Sequence, residues 1–478
     1  MIKKNIGILM LAAALLTSET ASYASGGAGN PADEALRRLV RASGIAPEAV
    51  ALWVAKAGSP TPIAAMNETK SMAPASVMKV LTTAAALERL GPAWTTTTRF
   101  AASAPPDAAG RIQGATLVGG GDAHLVVQDV WLLVQALRQA GVKSIAGDIV
   151  IDRSRYDESV SVRDQGRFDG EAFRPYNVGP DAASLNFKTL SLTIAPDGRI
   201  TTIPVLAGVS VPARAPVTKG ACGDWKRTLE PVFDGRRLRF KGRYPAACGT
   251  KTLHYSQWDA DFYATALLKP LLNEAGIRWR GRVRPGEAPA DSVTLAALPS
   301  APLASTVTWI NKFSNNTMAR HLFLELGLTD ADGTRRPATL ERSRAVMSTW
   351  LAGCGVDPES VRVGNGSGLA RESRLTAQAL GRVLSAVWGR SYLPELMASL
   401  PSAGVDGTMR HRATPWGSAH VKTGYLKNVR SLAGYVTTVT GERLVLVMLV
   451  NGRCDPEASK KLGDELIAWA GRRGSDAP

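Results

Sequence analysis

The most informative stretch of the sequence is Pro74-Ala75-Ser76-Val77-Met78-Lys79. The alanine- and leucine-rich run from 78 to 90 predicts a helix, which Gly91-Pro92 ends. Residues three apart lie on one face of a helix, so Ser76 and Lys79 are expected to lie side by side. A serine hydroxyl is a weak nucleophile that needs a base, and a lysine whose pKa is lowered by burial can act as one. The alternative is a capping serine followed by a solvent-exposed lysine.

Two later patterns offer polar groups to a substrate. Lys422-Thr423-Gly424 is the one K-T-G of the chain, and a strand edge with a lysine, a hydroxyl and a glycine suits a carboxylate. Ser314-Asn315-Asn316 is an S-x-N pattern that supplies a proton relay and an amide. Ser184-Leu185-Asn186 has the same pattern but leads directly into a predicted strand, so we favour Ser314. A turn or a cap explains each pattern alone; their order along the chain indicates acyl transfer.

The chain around these motifs has helical ends and a β-rich middle. From about 94 to 299, short β-prone runs such as 115–119, 148–152 and 190–194 alternate with glycine and proline. Helical spacing returns after them, and two strands are predicted beyond the K-T-G motif. The runs concerned are 307–326, 342–352, 376–388 and 458–470 for helices, and 431–439 and 443–450 for strands. This order predicts an α/β lobe interrupted by an insertion.

The composition restricts cofactors and partners. Neither an H-E-x-x-H nor a C-x-x-C motif occurs, so we predict neither a catalytic metal nor another cofactor. Cys222 and Cys248 are a reasonable disulfide pair, and Cys354 and Cys454 could form a second one. The formal charge of +16 suits either contact with an acidic polymer or solubility alone.

The first residues resemble an export signal. Lys3 and Lys4 precede an apolar run over 6–16, and Ser22-Tyr23-Ala24 offers small residues at a cleavage site after Ala24. The run is shorter than the about 20 residues that span a bilayer. We therefore expect an exported, periplasmic protein without a transmembrane anchor after cleavage. Such a protein rarely meets nucleic acid, which we do not expect as a partner.

The ordered motifs resemble those of the class C low-molecular-mass penicillin-binding proteins, the D-Ala-D-Ala carboxypeptidase/endopeptidase family. The resemblance covers almost the whole chain beyond the signal. Besides the segment around Ser76, it is carried by five stretches: 119–122, 147–152, 311–316, 364–369 and 406–410. In 364–369 (G-N-G-S-G-L), Asn365 stands where the family more often has an aspartate.

The resemblance implies a penicillin-recognising serine transferase fold, like that of β-lactamases and transpeptidases, with two inserted domains. The implied ranges are 1–24 for the signal, 25–96 and 300–478 for the catalytic domain, 97–165 and 260–299 for inserted domain II, and 166–259 for inserted domain III. The implied partners are peptidoglycan peptides and β-lactam antibiotics. The oligomeric state does not follow from the sequence.

The resemblance also implies a role for each motif residue. Ser76 attacks the carbonyl between two D-alanines, and Lys79 takes its proton. Ser314 and Lys422 return a proton to the leaving amine, and Asn316 orients the acyl chain. The substrate carboxylate meets the K-T-G strand, and backbone N–H groups form the oxyanion hole. The implied substrate-binding residues are Lys422, Thr423, Gly424 and Tyr425, and the implied oxyanion donors are Ser76 and Tyr425.

Tyr425 departs from the family, which usually has serine or threonine at this position. The backbone donor is retained, but a small hydroxyl is lost, which puts a preference for carboxypeptidase action in doubt. Two alternatives remain. A compact β-lactamase has no room for the insertion that places Ser314 235 positions after Lys79. A catalytically inactive wall-binding protein has no need of Ser76, Lys79 and Lys422 together.

Overall fold

The computed structural model describes residues 30–160, 168–171, 173–329, 333–412 and 418–473. The predicted export signal lies outside these residues. Within them, none of the helices combines the length and the apolar composition that crossing a membrane requires.

The helices and strands fall into three successive groups along the chain. The first group is α1 (Pro31–Ala42), β1 (Val50–Lys56), β2 (Pro62–Met66) and α2 (Met78–Leu90). The second is β3 (Thr97–Ala102), β4 (Arg111–Ile112), β5 (Ala115–Val118), α3 (Val127–Gln139), β6 (Ser144–Ile145), β7 (Ile149–Asp152), β8 (Leu190–Ile194), β9 (Ile200–Ile203), β10 (Val217–Thr218), α4 (Trp225–Thr228), β11 (Leu229–Asp234), β12 (Arg237–Gly242), β13 (Tyr244–Pro245), β14 (Lys251–Tyr255), α5 (Ala260–Glu274), β15 (Arg278–Trp279), β16 (Val283–Pro285) and β17 (Val293–Pro299). The third is α6 (Leu303–Phe313), α7 (Asn316–Leu326), α8 (Leu340–Gly353), β18 (Val361–Arg362), β19 (Arg374–Leu375), α9 (Ala377–Val387), α10 (Leu393–Ser399), β20 (Ala419–Leu426), β21 (Val429–Thr437), β22 (Arg443–Asn451) and α11 (Pro456–Gly471).

The first and third groups form one unit, called the main lobe here, around an antiparallel sheet of order β2-β1-β22-β21-β20. β22 is almost continuously apolar because both of its faces are buried. Val445 and Val447 face the core beneath α2 and α9, whereas Leu446 and Met448 face the core beneath α1 and α11. The two strands predicted after the K-T-G motif are confirmed as the neighbours β21 and β22.

The second group forms the insertion, residues 97–299, which has a core of its own. Its larger sheet has the order β16-β7-β5-β3-β17, and a three-stranded sheet has the order β14-β8-β9. The predicted disulfide between Cys222 and Cys248 is formed. Cys354 and Cys454 are free thiols, so the second pairing that the sequence allowed is absent. The division of the insertion into domains II and III stays a prediction.

The helical run predicted for 307–326 is two helices rather than one. α6 ends at Ser314, whose φ of 57° lies in the left-handed region. Asn315 then starts α7, because its side-chain oxygen accepts a hydrogen bond from the Met318 N–H at 3.0 Å. The break turns Ser314 and Asn316 toward the same space, next to the start of α2.

A nearly buried ion pair joins the insertion to the far end of α7. Arg155 Nε lies 2.9 Å from Glu325 Oε1, and the Tyr156 hydroxyl donates to the same oxygen at 2.8 Å. The exposed fractions of the Arg155 and Glu325 side chains are 13% and 2%. A side chain at Gly121, whose φ is +75°, would collide with both groups. The Arg155–Glu325 ion pair and the Tyr156 hydroxyl hold the insertion against α7, and the lack of a side chain at Gly121 allows this close contact.

Replacing Glu325 with alanine leaves the Arg155 guanidinium without its carboxylate partner at a position with little access to solvent. We expect the free energy of unfolding to fall by roughly 3–5 kcal/mol, measured by urea denaturation. The control is Glu442→Ala, which removes an exposed pair with Lys56 (2.8 Å); we expect about 0–1 kcal/mol there. Equal small losses in the two variants would contradict a structural role for the buried pair.

Candidate active site

The candidate nucleophile Ser76 lies in a single helical turn, Ala75–Val77, that leads directly into α2. Ala75 is buried and has a φ of 48°, an unfavourable conformation for a residue with a Cβ atom. The surroundings hold it there. A side chain at Gly368 would collide with the Ala75 carbonyl. The Pro74 carbonyl accepts a hydrogen bond from Ser431 Oγ at 2.6 Å. The turn that presents Ser76 is thus fixed from two sides.

Lys79 lies one helical turn beyond Ser76, as the spacing predicts, and has no exposure to solvent. Its Nζ donates to Ser76 Oγ at 2.8 Å, to Asn316 Oδ1 at 2.7 Å and to the Ser367 carbonyl at 2.6 Å. Burial, with the nearby charges of Lys422 and Arg320, holds the pKa of Lys79 well below its usual range. A lysine in this state can accept a proton from the serine that it contacts.

Lys422 approaches the same space from β20. Its Nζ donates to Ser314 Oγ at 3.0 Å and to the Thr423 carbonyl at 2.7 Å. Burial lowers the pKa of Lys422 to about 7. Lys422 and Ser314 can therefore exchange a proton near neutral pH. The ammonium form of Lys422 attracts anions.

Gly424 allows β20 to lie directly against the turn Ala75–Val77 that carries Ser76. A Cβ atom there would collide with Ser431 Oγ and lie only 2.9 Å from the Ser76 nitrogen. Tyr425 follows in the strand with its side chain 69% exposed, and the Arg430 guanidinium stacks 3.6 Å from the centre of its ring. The strand thus brings its backbone at Gly424 next to Ser76, while the Tyr425 ring is exposed to solvent.

Two contacts of the site were missed by the sequence analysis. The Ser367 carbonyl binds Lys79, and the Thr408 hydroxyl accepts a hydrogen bond from Thr423 Oγ1 at 2.7 Å. Both residues belong to stretches that carried the family resemblance, 364–369 and 406–410, but neither stretch was given a role. A backbone carbonyl has no side-chain signature, so only the loop sequence could have drawn attention to Ser367.

The second S-x-N pattern is structural. Asn186 Oδ1 accepts from the Val127 N–H at 3.2 Å at the start of α3, and its amide donates to the Tyr263 hydroxyl at 3.0 Å. It therefore joins elements of the insertion. No cluster of possible metal ligands occurs among the residues that the structure describes.

The fold is that of a solved protein. The crystal structure of penicillin binding protein 4 (dacB) from Haemophilus influenzae superposes with a TM-score of 0.71 at 25% identity. The match covers 90% of this chain and 99% of that one. The α/β fold and the grouped serine, lysine and K-T-G residues define a penicillin-recognising serine hydrolase, which confirms the predicted fold class.

Sequence comparisons identify the family. The model described as the D-Ala-D-Ala carboxypeptidase 3 (S13) family matches residues 33–473. A D-alanyl-D-alanine carboxypeptidase from an Actinomadura species is 29% identical over 414 residues, which are 81% of this chain and 74% of that protein. The D-alanyl-D-alanine carboxypeptidase DacB of Haemophilus influenzae is 27% identical over 407 residues, 82% of either protein. The chain belongs to the D-Ala-D-Ala carboxypeptidase 3 (S13) family, and it is a serine-type enzyme of that family.

The lowered pKa of Lys422 makes a prediction about stability. The pKa is about 7 in the folded protein against an ordinary value of 10.5, so between these values the unfolded chain binds the additional proton. Stability from this group therefore rises with pH from about 7 to 10 and is constant below that window. We expect Lys422→Met to show a smaller increase than the wild type when urea denaturation is repeated at pH 7, 8 and 9.

The exposed Lys427→Met variant controls for the loss of one positive charge. Its stability is expected to follow the wild-type pH dependence. Parallel curves for all three proteins would show that Lys422 is protonated in the folded state throughout this range.

Proposed function

We propose that Ser76 is the acylated nucleophile of a D-Ala-D-Ala carboxypeptidase and endopeptidase, with Lys79 as its base. The observation that carries this proposal is the set of three short contacts of Lys79 Nζ, to Ser76 Oγ, Asn316 Oδ1 and the Ser367 carbonyl. Neutral Lys79 has two N–H hydrogens, which suit Asn316 Oδ1 and the Ser367 carbonyl, so its lone pair is left facing the Ser76 hydroxyl. The lone pair of neutral Lys79 can therefore receive the serine proton without any movement of the main chain.

The steps follow from this arrangement. Ser76 Oγ bonds to the carbonyl carbon between the two terminal D-alanines, and Lys79 takes its proton. The N–H groups of Ser76 and Tyr425 stabilise the oxyanion, and one such donor contributes on the order of 3 kcal/mol. The C–N bond then breaks, and the leaving amine receives a proton through Lys422 and Ser314. Water releases the acyl group as an acid and regenerates Ser76.

Substrate binding falls to Asn316 and the K-T-G strand. The Asn316 amide nitrogen contacts the Tyr176 carbonyl at 3.4 Å and can also orient the substrate's acyl chain. Lys422, Thr423, Gly424 and Tyr425 line the strand that the C-terminal carboxylate approaches, and Lys422 supplies the positive charge. We propose that stem peptides and crosslinks of peptidoglycan are the substrates and that penicillins acylate the same serine.

We further propose that the enzyme works in the periplasm after removal of residues 1–24. The N-terminal sequence supports export. The Cys222–Cys248 disulfide supports an oxidising compartment, because such bonds are rare in the bacterial cytoplasm.

Intact mass is the direct test of the nucleophile. Benzylpenicillin is expected to add its mass once to the wild type and not to Ser76→Ala, because this variant lacks the hydroxyl that lies 2.8 Å from the proposed base Lys79. Ser71→Ala, five positions earlier on an exposed part of the chain, is the matched control and should be labelled. With isolated peptidoglycan, released D-alanine reports carboxypeptidase action and loss of crosslinked dimers reports endopeptidase action.

Three outcomes would contradict the proposal in different ways. Labelling of Ser76→Ala would move the nucleophile elsewhere. Rapid release of hydrolysed penicillin would indicate a β-lactamase. A folded wild type without adduct or turnover would indicate a wall-binding protein.

The role of Ser314 can be tested by comparison with Ser184, the serine of the other S-x-N pattern. Ser314→Ala removes the hydroxyl that contacts Lys422, and we expect the rate of Ser76 acylation to fall roughly 10²- to 10⁴-fold, as for loss of proton transfer. Ser184→Ala, in the same sequence pattern within the insertion, should acylate at the wild-type rate. Stopped-flow measurement with a chromogenic β-lactam gives both rates. Similar rates for the two variants would rule out a relay through Ser314.

A further inference from the structure

We propose that Thr408 is a substrate-binding residue, whose hydroxyl donates to the C-terminal carboxylate together with that of Thr423. This inference rests on the proposed function and adds a specificity residue to it. It starts from the hydrogen bond in which Thr423 Oγ1 donates to Thr408 Oγ1 at 2.7 Å. A hydroxyl that accepts one hydrogen bond still carries its own proton. Thr408 is exposed, so that proton is available to a ligand above the K-T-G strand.

The two hydroxyls suit a carboxylate better than either hydroxyl alone. A carboxylate accepts hydrogen bonds on both oxygens, and its bonds to hydroxyls are short and strong because the acceptor is charged. When such a group binds, Thr423 can turn its proton from Thr408 to the ligand, and Thr408 donates its own. Lys422, which donates to the Thr423 carbonyl at 2.7 Å, adds positive charge beside this pair.

The turn that carries Thr408 is held rigidly in place. Lys312, 13% exposed, donates to Asp406 Oδ2 at 2.7 Å and to the Leu400 carbonyl at 2.7 Å. The other Asp406 oxygen accepts from the Ser402 N–H at 2.8 Å. A Cβ atom at Gly407, whose φ is +52°, would lie 2.7 Å from the Lys312 carbonyl. The turn that carries Thr408 therefore packs closely against the end of α6.

The end of α6 thus fixes two functional groups at once. Lys312 lies two residues before Ser314, so one helix end positions both the proposed proton relay and the Thr408 turn. A carboxylate bound by Thr408 and Thr423 is then held at a set distance from Ser314 and Lys422. Tyr425 offers no small hydroxyl here, since its ring is exposed and stacked on Arg430. Thr408 supplies the second hydroxyl from a neighbouring loop.

The test compares Thr408→Val, which keeps the shape and removes the hydroxyl, with Thr408→Ser, which keeps the hydroxyl. Each is measured on an acylated peptide that ends in D-Ala-D-Ala with a free carboxylate, and on the same peptide with a C-terminal amide. We expect Thr408→Val to lose about 10- to 100-fold in kcat/KM on the acid, mostly through KM, since it loses a hydrogen bond to a charged group. On the amide, which lacks the charged carboxylate, Thr408→Val should keep nearly the wild-type kcat/KM. Thr408→Ser should retain most of the activity on the acid.

A second variant checks the same idea by rescue. Tyr425→Ser places a hydroxyl on the strand, and in the Thr408→Val background it should recover part of the lost kcat/KM on the acid. Equal losses on acid and amide, or a Thr408→Ser variant as poor as Thr408→Val, would overturn the proposal and leave Thr408 as a support for the strand.

The proposed function fails separately from this inference. If wild type forms no acyl-enzyme with benzylpenicillin, the nucleophile assignment is wrong and Thr408 has no substrate to bind. If wild type is acylated and Thr408→Val handles the acid peptide as well as wild type does, only the role of Thr408 is wrong.

Discussion

The burial of one amino group, that of Lys79, is the constraint on which the site depends. A nitrogen without access to water must find its hydrogen-bond partners in the protein. Lys79 finds them in three separate segments: the turn at Ser76, the start of α7 at Asn316 and the loop at Ser367. The contacts that satisfy the lysine are therefore the same contacts that assemble the site. The low pKa that follows from burial turns this structural requirement into a chemical property.

The insertion contributes to this assembly although it carries none of the motif residues. It touches α7 at both ends. Near the start of the helix, the Thr317 hydroxyl donates to the Val178 carbonyl at 3.2 Å, and near its end Glu325 pairs with Arg155. The position of Asn316, which is one partner of Lys79, is thus set partly by residues of the insertion. A long insertion between the first motif and the second is consistent with a precisely held site, because the insertion is bound to α7, the helix that begins at Asn316.

The features that could be predicted from the sequence are those that local periodicity and burial determine. Ser76 and Lys79 are one helical turn apart, and β22 reads as a strand because both of its faces are apolar. The break at Ser314 was not predicted, since apolar spacing continues across it and only the left-handed backbone reveals it. Thr408 was missed because its partner lies in a neighbouring strand, a contact that no local pattern encodes. The boundaries within the insertion remain predictions for the same reason.

The glycines around Ser76 limit where substitutions can accumulate in this site. Gly368 and Gly424 lie so close to the turn that carries Ser76 that any side chain would displace neighbouring atoms. Substitution of either glycine would therefore displace the turn that carries Ser76. The exposed rim, where Tyr425 and Arg430 stack, is free of that penalty. Side chains at this rim can therefore differ in size and charge without displacing the backbone that carries Ser76, so the rim is the part of the site that tolerates variation.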